Sequence, residues 1–347
     1  MRLIYDLEFD ELRDLLTGIG EPAFRAKQVW EGLYKQHWQN PEEFTSLPKL
    51  LRAKLSETID FDLVNPTLVL ESLDKRTKKT LFKLQDGLSI EAVLMRYDRR
   101  QTLCISTQAG CAMGCVFCAT GQMGFRRHLS SGEIVAQVMY YARLLNDKGS
   151  AVTNIVLMGM GEPFHNYENS LAAIDRLNDP HGYNFGARRF TISTSGLVPA
   201  IRRFAEEKRQ VNLAISLHAV DNELRSSMMP VNKRYGIDEL LDACRYYLDL
   251  TGRRITFEWA LIHGVNDTQD QALKLAKKLK GLLCHVNAIP LNPTTGYTGT
   301  ATSRERAEIF KEILEDAGIP CSIRMRRGID IQAGCGQLAI KVIDTIK

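Results

Sequence analysis

Leu103-Cys104-Ile105-Ser106-Thr107 runs through Gln108-Ala109-Gly110 into Cys111-Ala112-Met113-Gly114-Cys115-Val116-Phe117-Cys118. The first five residues read as a strand, Leu103–Thr107, closed by the turn signal of Gly110. The cysteines fall in the loop that leaves this strand, spaced C-x3-C-x2-C. Three thiolates on one short loop can converge on one metal centre, and soft thiolates select zinc, copper(I) or iron–sulfur clusters. The absence of a fourth cysteine is informative, because a structural zinc site is closed by four ligands. His128 could complete such a site, but no zinc-finger spacing surrounds it. A [4Fe–4S] cluster held by Cys111, Cys115 and Cys118 keeps one iron open for a substrate.

Downstream, the chain alternates regularly. Strands are predicted at Leu103–Thr107, Asn154–Met160, Arg189–Thr194, Val211–His218, Arg254–Ile262 and His285–Leu291. Helices follow near 130–147, 166–178, 197–208, 236–250, 268–281 and 303–317, and a short strand lies near Ser322–Met325. Six βα units in sequence argue for a parallel sheet covered by helices. Eight would close a barrel; six imply a partial (β/α)6 barrel, with its chemistry at the C-terminal strand ends. Upstream, three helical periods stand out: Phe9, Leu12, Leu15, Leu16; Phe24, Val29, Leu33, Tyr34; and Leu47, Leu50, Leu51, Leu55. Strand patterns follow at Leu68–Leu70, Thr80–Leu84 and Ile90–Met95, with an Asp86-Gly87 turn. The expected fold is therefore α/β. A small N-terminal helical domain (1–60) precedes a β-rich extension (61–100) and the barrel with its C-terminal tail (101–347).

Composition bounds the function classes. The chain is 44% hydrophobic and 25% charged, as soluble globular proteins are. Apolar runs such as Ile155–Met158 are far too short to span a bilayer. Acidic residues interrupt the N-terminus early, unlike a secretory leader, so the expected location is the cytoplasm. Eight cysteines in such a chain point to metal binding or catalysis before disulfides. Cys244, Cys284 and Cys321 read as inert, buried thiols. A net charge of +4 decides little. Basic clusters at 75–79, Arg99-Arg100, Arg126-Arg127, Arg188-Arg189, Arg202-Arg203 and 324–327 are compatible with phosphate contacts or with an ordinary solvated surface. Tyr97 and Phe125 are candidates for stacking on bases, with core packing as their ordinary fate.

The cysteine spacing, with Phe117 before its last member, resembles the radical S-adenosylmethionine (SAM) signature. Gly159-Met160-Gly161-Glu162-Pro163, at the end of the second core strand, resembles the motif by which such enzymes hold the SAM amino group. The stretch 103–111, Cys118-Ala119-Thr120-Gly121 with Gly124-Phe125, and the tail 328–338 are similar to the RlmN/Cfr methyltransferases, as is Phe24-Arg25-Ala26-Lys27-Gln28. Gln332-Ala333-Gly334 departs from the Asp-Ala-Ala common in both branches. Gly161-Glu162-Pro163 and the stretch 20–26 favour the RlmN branch.

The resemblance implies a radical SAM barrel that methylates C2 of an adenine in 23S ribosomal RNA and the adenine 3′ of some tRNA anticodons. It implies a [4Fe–4S] cluster on Cys111, Cys115 and Cys118, and two SAM molecules per turnover. Gly161, Glu162, Ser193, Ser216, Leu217, His218 and Asn292 match SAM-contacting positions. Cys335 matches the methyl-carrying cysteine, Cys104 the resolving cysteine, and Glu91 the proton acceptor, a role for which Cys104 is a rival. The implied partners are 23S rRNA, tRNA and an electron donor such as flavodoxin or ferredoxin, with residues 1–60 as an RNA-binding accessory domain. A monomer is expected. Three other readings stand beside this one: a Cfr-type enzyme acting on C8, a non-catalytic zinc-stabilised RNA-binding protein, and a radical SAM enzyme with a small-molecule substrate.

Overall fold

The computed structural model describes residues 2–61, 64–324 and 326–339. Three helices open the chain: α1 (Phe9–Gly18), α2 (Phe24–Tyr34) and α3 (Lys49–Thr58). Their apolar stripes bury Leu12, Leu16, Val29, Leu33, Leu51 and Leu55. Phe24 and Leu50, expected on those stripes, are 59% and 69% exposed. Each sits in the first turn of its helix, where a period cannot tell the packed face from its edge.

Ten strands then form one sheet, and they lie in sequence order across it. They are β1 (Asn65–Glu71), β2 (Thr77–Lys83), β3 (Ser89–Tyr97), β4 (Arg100–Cys104), β5 (Asn154–Leu157), β6 (Phe190–Thr194), β7 (Asn212–Ser216), β8 (Ile255–Leu261), β9 (Cys284–Pro290) and β10 (Cys321–Ile323). From β4 to β10 every pairing is parallel. Parallel neighbours need crossovers, supplied by α4 (Ser131–Asn146), α5 (Tyr167–Asn178), α6 (Val198–Glu206), α7 (Asn222–Met228) with α8 (Ile237–Thr251), α9 (Gln269–Leu279) and α10 (Arg304–Asp316). Among the described residues β1 and β10 do not pair, so the sheet remains an open, partial barrel.

The structure corrects the expected start of the barrel. The strand covers Arg100–Cys104 rather than Leu103–Thr107; Gln108–Gly110 pairs instead with Phe125–His128 in a separate two-stranded ribbon. The strands upstream are not a separate layer. β1–β4 form an antiparallel meander that continues the barrel sheet, because a tight hairpin sets Tyr97 opposite Arg100. Asp98-Arg99 carries no glycine or proline to announce that turn. The helix α7 also went unpredicted.

The N-terminal helices share the barrel's hydrophobic core. Polar contacts fix their register. Asp6 Oδ1 accepts from the Gly132 amide in the first turn of α4 at 2.6 Å, and Trp30 Nε1 donates to Asp179 at 2.8 Å. Among the described residues, no helix is long and apolar enough to cross a membrane. Cys244, Cys284 and Cys321 are buried and unbridged, as expected.

Candidate active site

A cavity opens at the C-terminal ends of the parallel strands, where such folds place their chemistry. Of the residues singled out from sequence, Cys104, Cys111, Cys115, Cys118, Gly161, Glu162, Ser193, Ser216, His218, Asn292 and Cys335 line it. Leu217 and Glu91 do not. The Leu217 side chain is fully buried in the core. Glu91 faces the tail instead, as described below.

The cysteine loop is shaped by its neighbours. Cys111 donates its amide to Gly124 O at 3.0 Å, and Val116 donates to Met228 O at 3.0 Å. Burial pushes the Cys111 thiol up to about 12 and Cys115 well above its ordinary value. A metal centre reverses that preference, since ligation requires the thiolate and releases the proton. Among the described residues no three Cys, His, Asp or Glu side chains gather at a single ion. His128, the one candidate for a fourth zinc ligand, bonds instead to Gln108 at 3.0 Å and lies against His165 and Phe125. Three thiols, each for a different iron, fit an iron–sulfur cluster better than zinc.

A polar atom without a partner shows what else the cavity accepts. Asn292 Oδ1 is buried, has no protein partner, and belongs to a residue that lines the cavity. Buried polar groups are normally satisfied, so it fits a polar ligand such as SAM. Glu162, on the same cavity, is buried and accepts from the amides of Ser195 at 2.7 Å and Phe164 at 3.0 Å. Burial raises its carboxyl pKa, and those two amides oppose the rise. Gly161 has φ +105°, and a Cβ there would stand 2.6 Å from Gln108 Cβ. Only glycine fits the turn that presents Glu162. His218 Nδ1 accepts from the Ala260 amide at 2.9 Å, so its proton resides on Nε2. Burial pushes its pKa down to about 3 and keeps the ring neutral.

The tail closes the cavity. Residues 328–339 form turns and bends rather than a helix or strand, as Gly334-Cys335-Gly336 suggests. Asn292 Nδ2 donates to Cys335 O at 3.0 Å, Ala119 N to Gly336 O at 2.8 Å, Thr120 Oγ1 to Leu338 O at 2.7 Å, and Gln337 Nε2 to Pro293 O at 2.9 Å. A Cβ on Gly334 would stand 2.7 Å from Asn292 Nδ2. Cys335 is open to the cavity while protein encloses it, which pushes its thiol up to about 11. Burial, reinforced by the nearby Cys335, pushes Cys104 up to about 12. Arg324 lines the same cavity and favours both thiolates.

Ser195 and Glu258 are cavity residues that were not singled out from sequence, and Arg324 was read only as part of the basic cluster 324–327. Glu258 carried a readable signal, a carboxylate among the alternating Phe257, Trp259 and Leu261 of a barrel strand. At the mouth, Tyr97 packs between the guanidinium groups of Arg327, 4.5 Å from its ring centroid, and Arg100, at 5.1 Å. Tyr97 is half-buried and packs against the core, whereas Phe125 is exposed. The basic run 75–79 is not uniformly on the surface, because Lys79 is buried. Arg127 pairs with Asp86 and Glu133.

Residues 105–276 match the model of the Radical SAM superfamily, and residues 3–60 match the ribosomal RNA large subunit methyltransferase N-terminal domain. The chain is 49% identical to a probable dual-specificity RNA methyltransferase RlmN of Chloroflexus aurantiacus, over 97% of this chain and 93% of that protein. It is 48% identical to the dual-specificity RNA methyltransferase RlmN 1 of Myxococcus xanthus, over 98% and 94%. The crystal structure of a radical SAM methyltransferase from Sphaerobacter thermophilus superposes with a TM-score of 0.96 at 50% identity, covering 97% of this chain and 99% of that one.

Proposed function

The chain belongs to the RlmN family of radical SAM RNA methyltransferases, and from that premise we propose that it methylates C2 of an adenine in 23S ribosomal RNA. The adenine 3′ of the anticodon in some tRNAs is a second substrate. The observation that carries the reading is the meeting of Cys104 and Cys335, from distant parts of the chain, in the cavity lined by the three-cysteine loop.

Cys111, Cys115 and Cys118 hold the cluster, while Gly161, Glu162, Ser193, Ser216, His218 and Asn292 receive SAM. When bound, the cluster and SAM supply a 5′-deoxyadenosyl radical, fed by a donor such as flavodoxin or ferredoxin. Adenine C2 is not nucleophilic, so the protein itself carries the methyl group. Cys335 takes it on sulfur from a first SAM, losing its thiol proton, and Arg324 stabilises the thiolate that attacks. A second SAM held by the same residues would supply the radical that removes one hydrogen from the methyl group on Cys335, so that this carbon could bond to C2, and the C2 hydrogen would leave as a proton. Cys104 then attacks the Cys335 sulfur: the S–S bond forms, the bond from sulfur to the transferred carbon breaks, and the methylated base leaves. External thiols reduce the disulfide for the next cycle. The arginines around Tyr97 at the mouth supply phosphate contacts for the RNA.

The test is mass spectrometry of digested RNA after anaerobic reconstitution. The enzyme receives SAM with a deuterated methyl group and protein-free large-subunit RNA lacking the modification. The expected product is 2-methyladenosine retaining two of the three methyl deuteriums. 8-Methyladenosine would move the chain to the C8 branch. SAM cleavage with no methylated adenosine would overturn the RNA substrate. Stoichiometric zinc in place of about four irons per chain would overturn the radical mechanism.

A further inference from the structure

Cys335 sits on a segment with no regular secondary structure, and two charged side chains hold that segment on either side of it. Lys79 on β2 donates from Nζ to Gln332 O at 3.2 Å, ahead of the cysteine. Glu91 on β3 accepts from the Ala339 amide on Oε2 at 3.0 Å, beyond it. Lys79 and Glu91 are joined to one another, Nζ to Oε1 at 3.0 Å, with side chains 5% and 2% exposed. Their positions follow from the meander. Lys79 is paired with Val93, two residues along β3 from Glu91, so the two side chains are diagonal neighbours on one face.

A buried ion pair is a weak source of stability, because desolvating two charges offsets most of their attraction. An apolar pair would fill this place at less cost, so a pair retained here calls for a role beyond folding. Each partner also makes one bond to the tail. Glu91 does not line the cavity, and both its carboxylate oxygens already accept, one from Lys79 and one from Ala339.

We propose that Lys79 and Glu91 are positioning residues that clamp the tail on both sides of Cys335 and hold its thiol at the cavity, and that Glu91 is not the group that takes the ring proton. The inference rests on the reading of Cys335 as the methyl-carrying residue. It removes Glu91 from the chemistry and adds Lys79 to the machinery that places the reacting sulfur.

The test compares Glu91→Gln, Glu91→Ala, Lys79→Met and the double variant Lys79→Met/Glu91→Leu as full-length, cluster-loaded protein. The double variant replaces the pair by apolar groups and folds even where a lone buried charge does not. Three readouts are taken: methylation of Cys335 by SAM without RNA, RNA turnover, and amide exchange across residues 328–339. A clamp predicts that Glu91→Ala, Lys79→Met and the double variant slow Cys335 methylation about tenfold, the equivalent of one strong hydrogen bond, and speed exchange in the tail. Glu91→Gln keeps one acceptor oxygen for the tail but removes the charge partner of Lys79, so it falls between wild type and Glu91→Ala on both readouts. Normal Cys335 methylation in Glu91→Gln together with an accumulating protein–RNA adduct would make Glu91 the base and overturn the proposal. Wild-type methylation and exchange in the double variant would overturn it equally. Should the wild-type enzyme leave Cys335 unmethylated, the functional reading fails by itself. The clamp is then judged on amide exchange alone, and unchanged exchange in Glu91→Ala and the double variant refutes it.

Discussion

The two walls of the cavity are built by different means. The barrel wall consists of strand ends bonded to their neighbours, tied together beneath by a buried polar hub. Arg225, fully buried on α7, donates to Leu217 O at 3.0 Å, Ser216 O at 3.0 Å, Ser195 O at 2.7 Å and Asn232 Oδ1 at 3.0 Å. Asn266 Nδ2 bridges His218 O and Ala260 O. The tail wall is a loop held by side chains from β2, β3, the cysteine loop and the segment after β9, by one backbone bond from Ala119, and by the buried Ile331, Ala333 and Leu338. The first wall is inseparable from the fold. The second is docked onto it, and the expectation is that it moves without unfolding the barrel. That division suits a reaction in which the SAM site stays fixed while one sulfur meets a methyl donor, a base and a second thiol in turn.

The largest effect that tests this contrast lies under the barrel wall. Arg225→Met removes the guanidinium donor from three carbonyls and from Asn232 Oδ1, and three of those four bonds are buried. The expected loss is about 3–5 kcal/mol of stability, visible as a single, lower unfolding transition of the cluster-free protein. An unchanged midpoint would mean that the wall is not integral to the fold.

Glu258 gives the next effect, one that depends on pH. Burial pushes its carboxyl from 4.5 up to about 7, against the opposing pull of Arg324 and of Asn287, which donates to it at 2.7 Å. The folded state therefore holds this proton more tightly than the unfolded chain does. The stability it contributes is fully present below pH 4.5 and is lost as pH rises through about 7. Glu258→Gln stays neutral throughout and keeps an acceptor for Asn287. Its midpoint relative to wild type should rise between pH 5 and pH 8, reaching a gain on the order of 1–3 kcal/mol. A difference that is flat in pH would show that Glu258 is ionised at little cost beside Arg324.

The same contrast explains what could be read in advance. The barrel wall announces itself locally. Its strands are apolar runs between turn signals, its cysteines lie within one loop, and Gly161-Glu162-Pro163 is one short motif at a strand end. The tail wall is legible only in part. Cys335 between two glycines stands out as a residue no helix or strand would bury. What holds it does not stand out, because each contact joins residues far apart in the chain. Lys79 sits in a basic run and reads as surface, and its burial follows from β2 lying between β1 and β3, with Glu91 diagonal to it. Glu91 lies in a strand whose face depends on a hairpin that Asp98-Arg99 does not signal. The place of a side chain is thus legible from a local motif on the barrel and illegible for those that support the tail.

The smallest effect on stability should come from the tail, and it is the sharpest test of the difference. Gln337 donates from Nε2 to Pro293 O at 2.9 Å and accepts on Oε1 from the Gly334 amide at 3.0 Å. It therefore closes the turn that contains Cys335 and pins that turn to the segment after β9. Gln337→Ala removes both bonds, worth about 1 kcal/mol together where a turn can open toward the solvent-accessible cavity. The global unfolding midpoint should move by no more than about 2 °C. Amide exchange from Gly334 to Leu338 should nonetheless quicken about fivefold, while exchange in β5–β8 stays at the wild-type rate. If exchange instead rises in the tail and the barrel strands together, the tail unfolds only with the barrel. The two walls are then one cooperative unit, and the sulfur on Cys335 is as fixed as the site it faces.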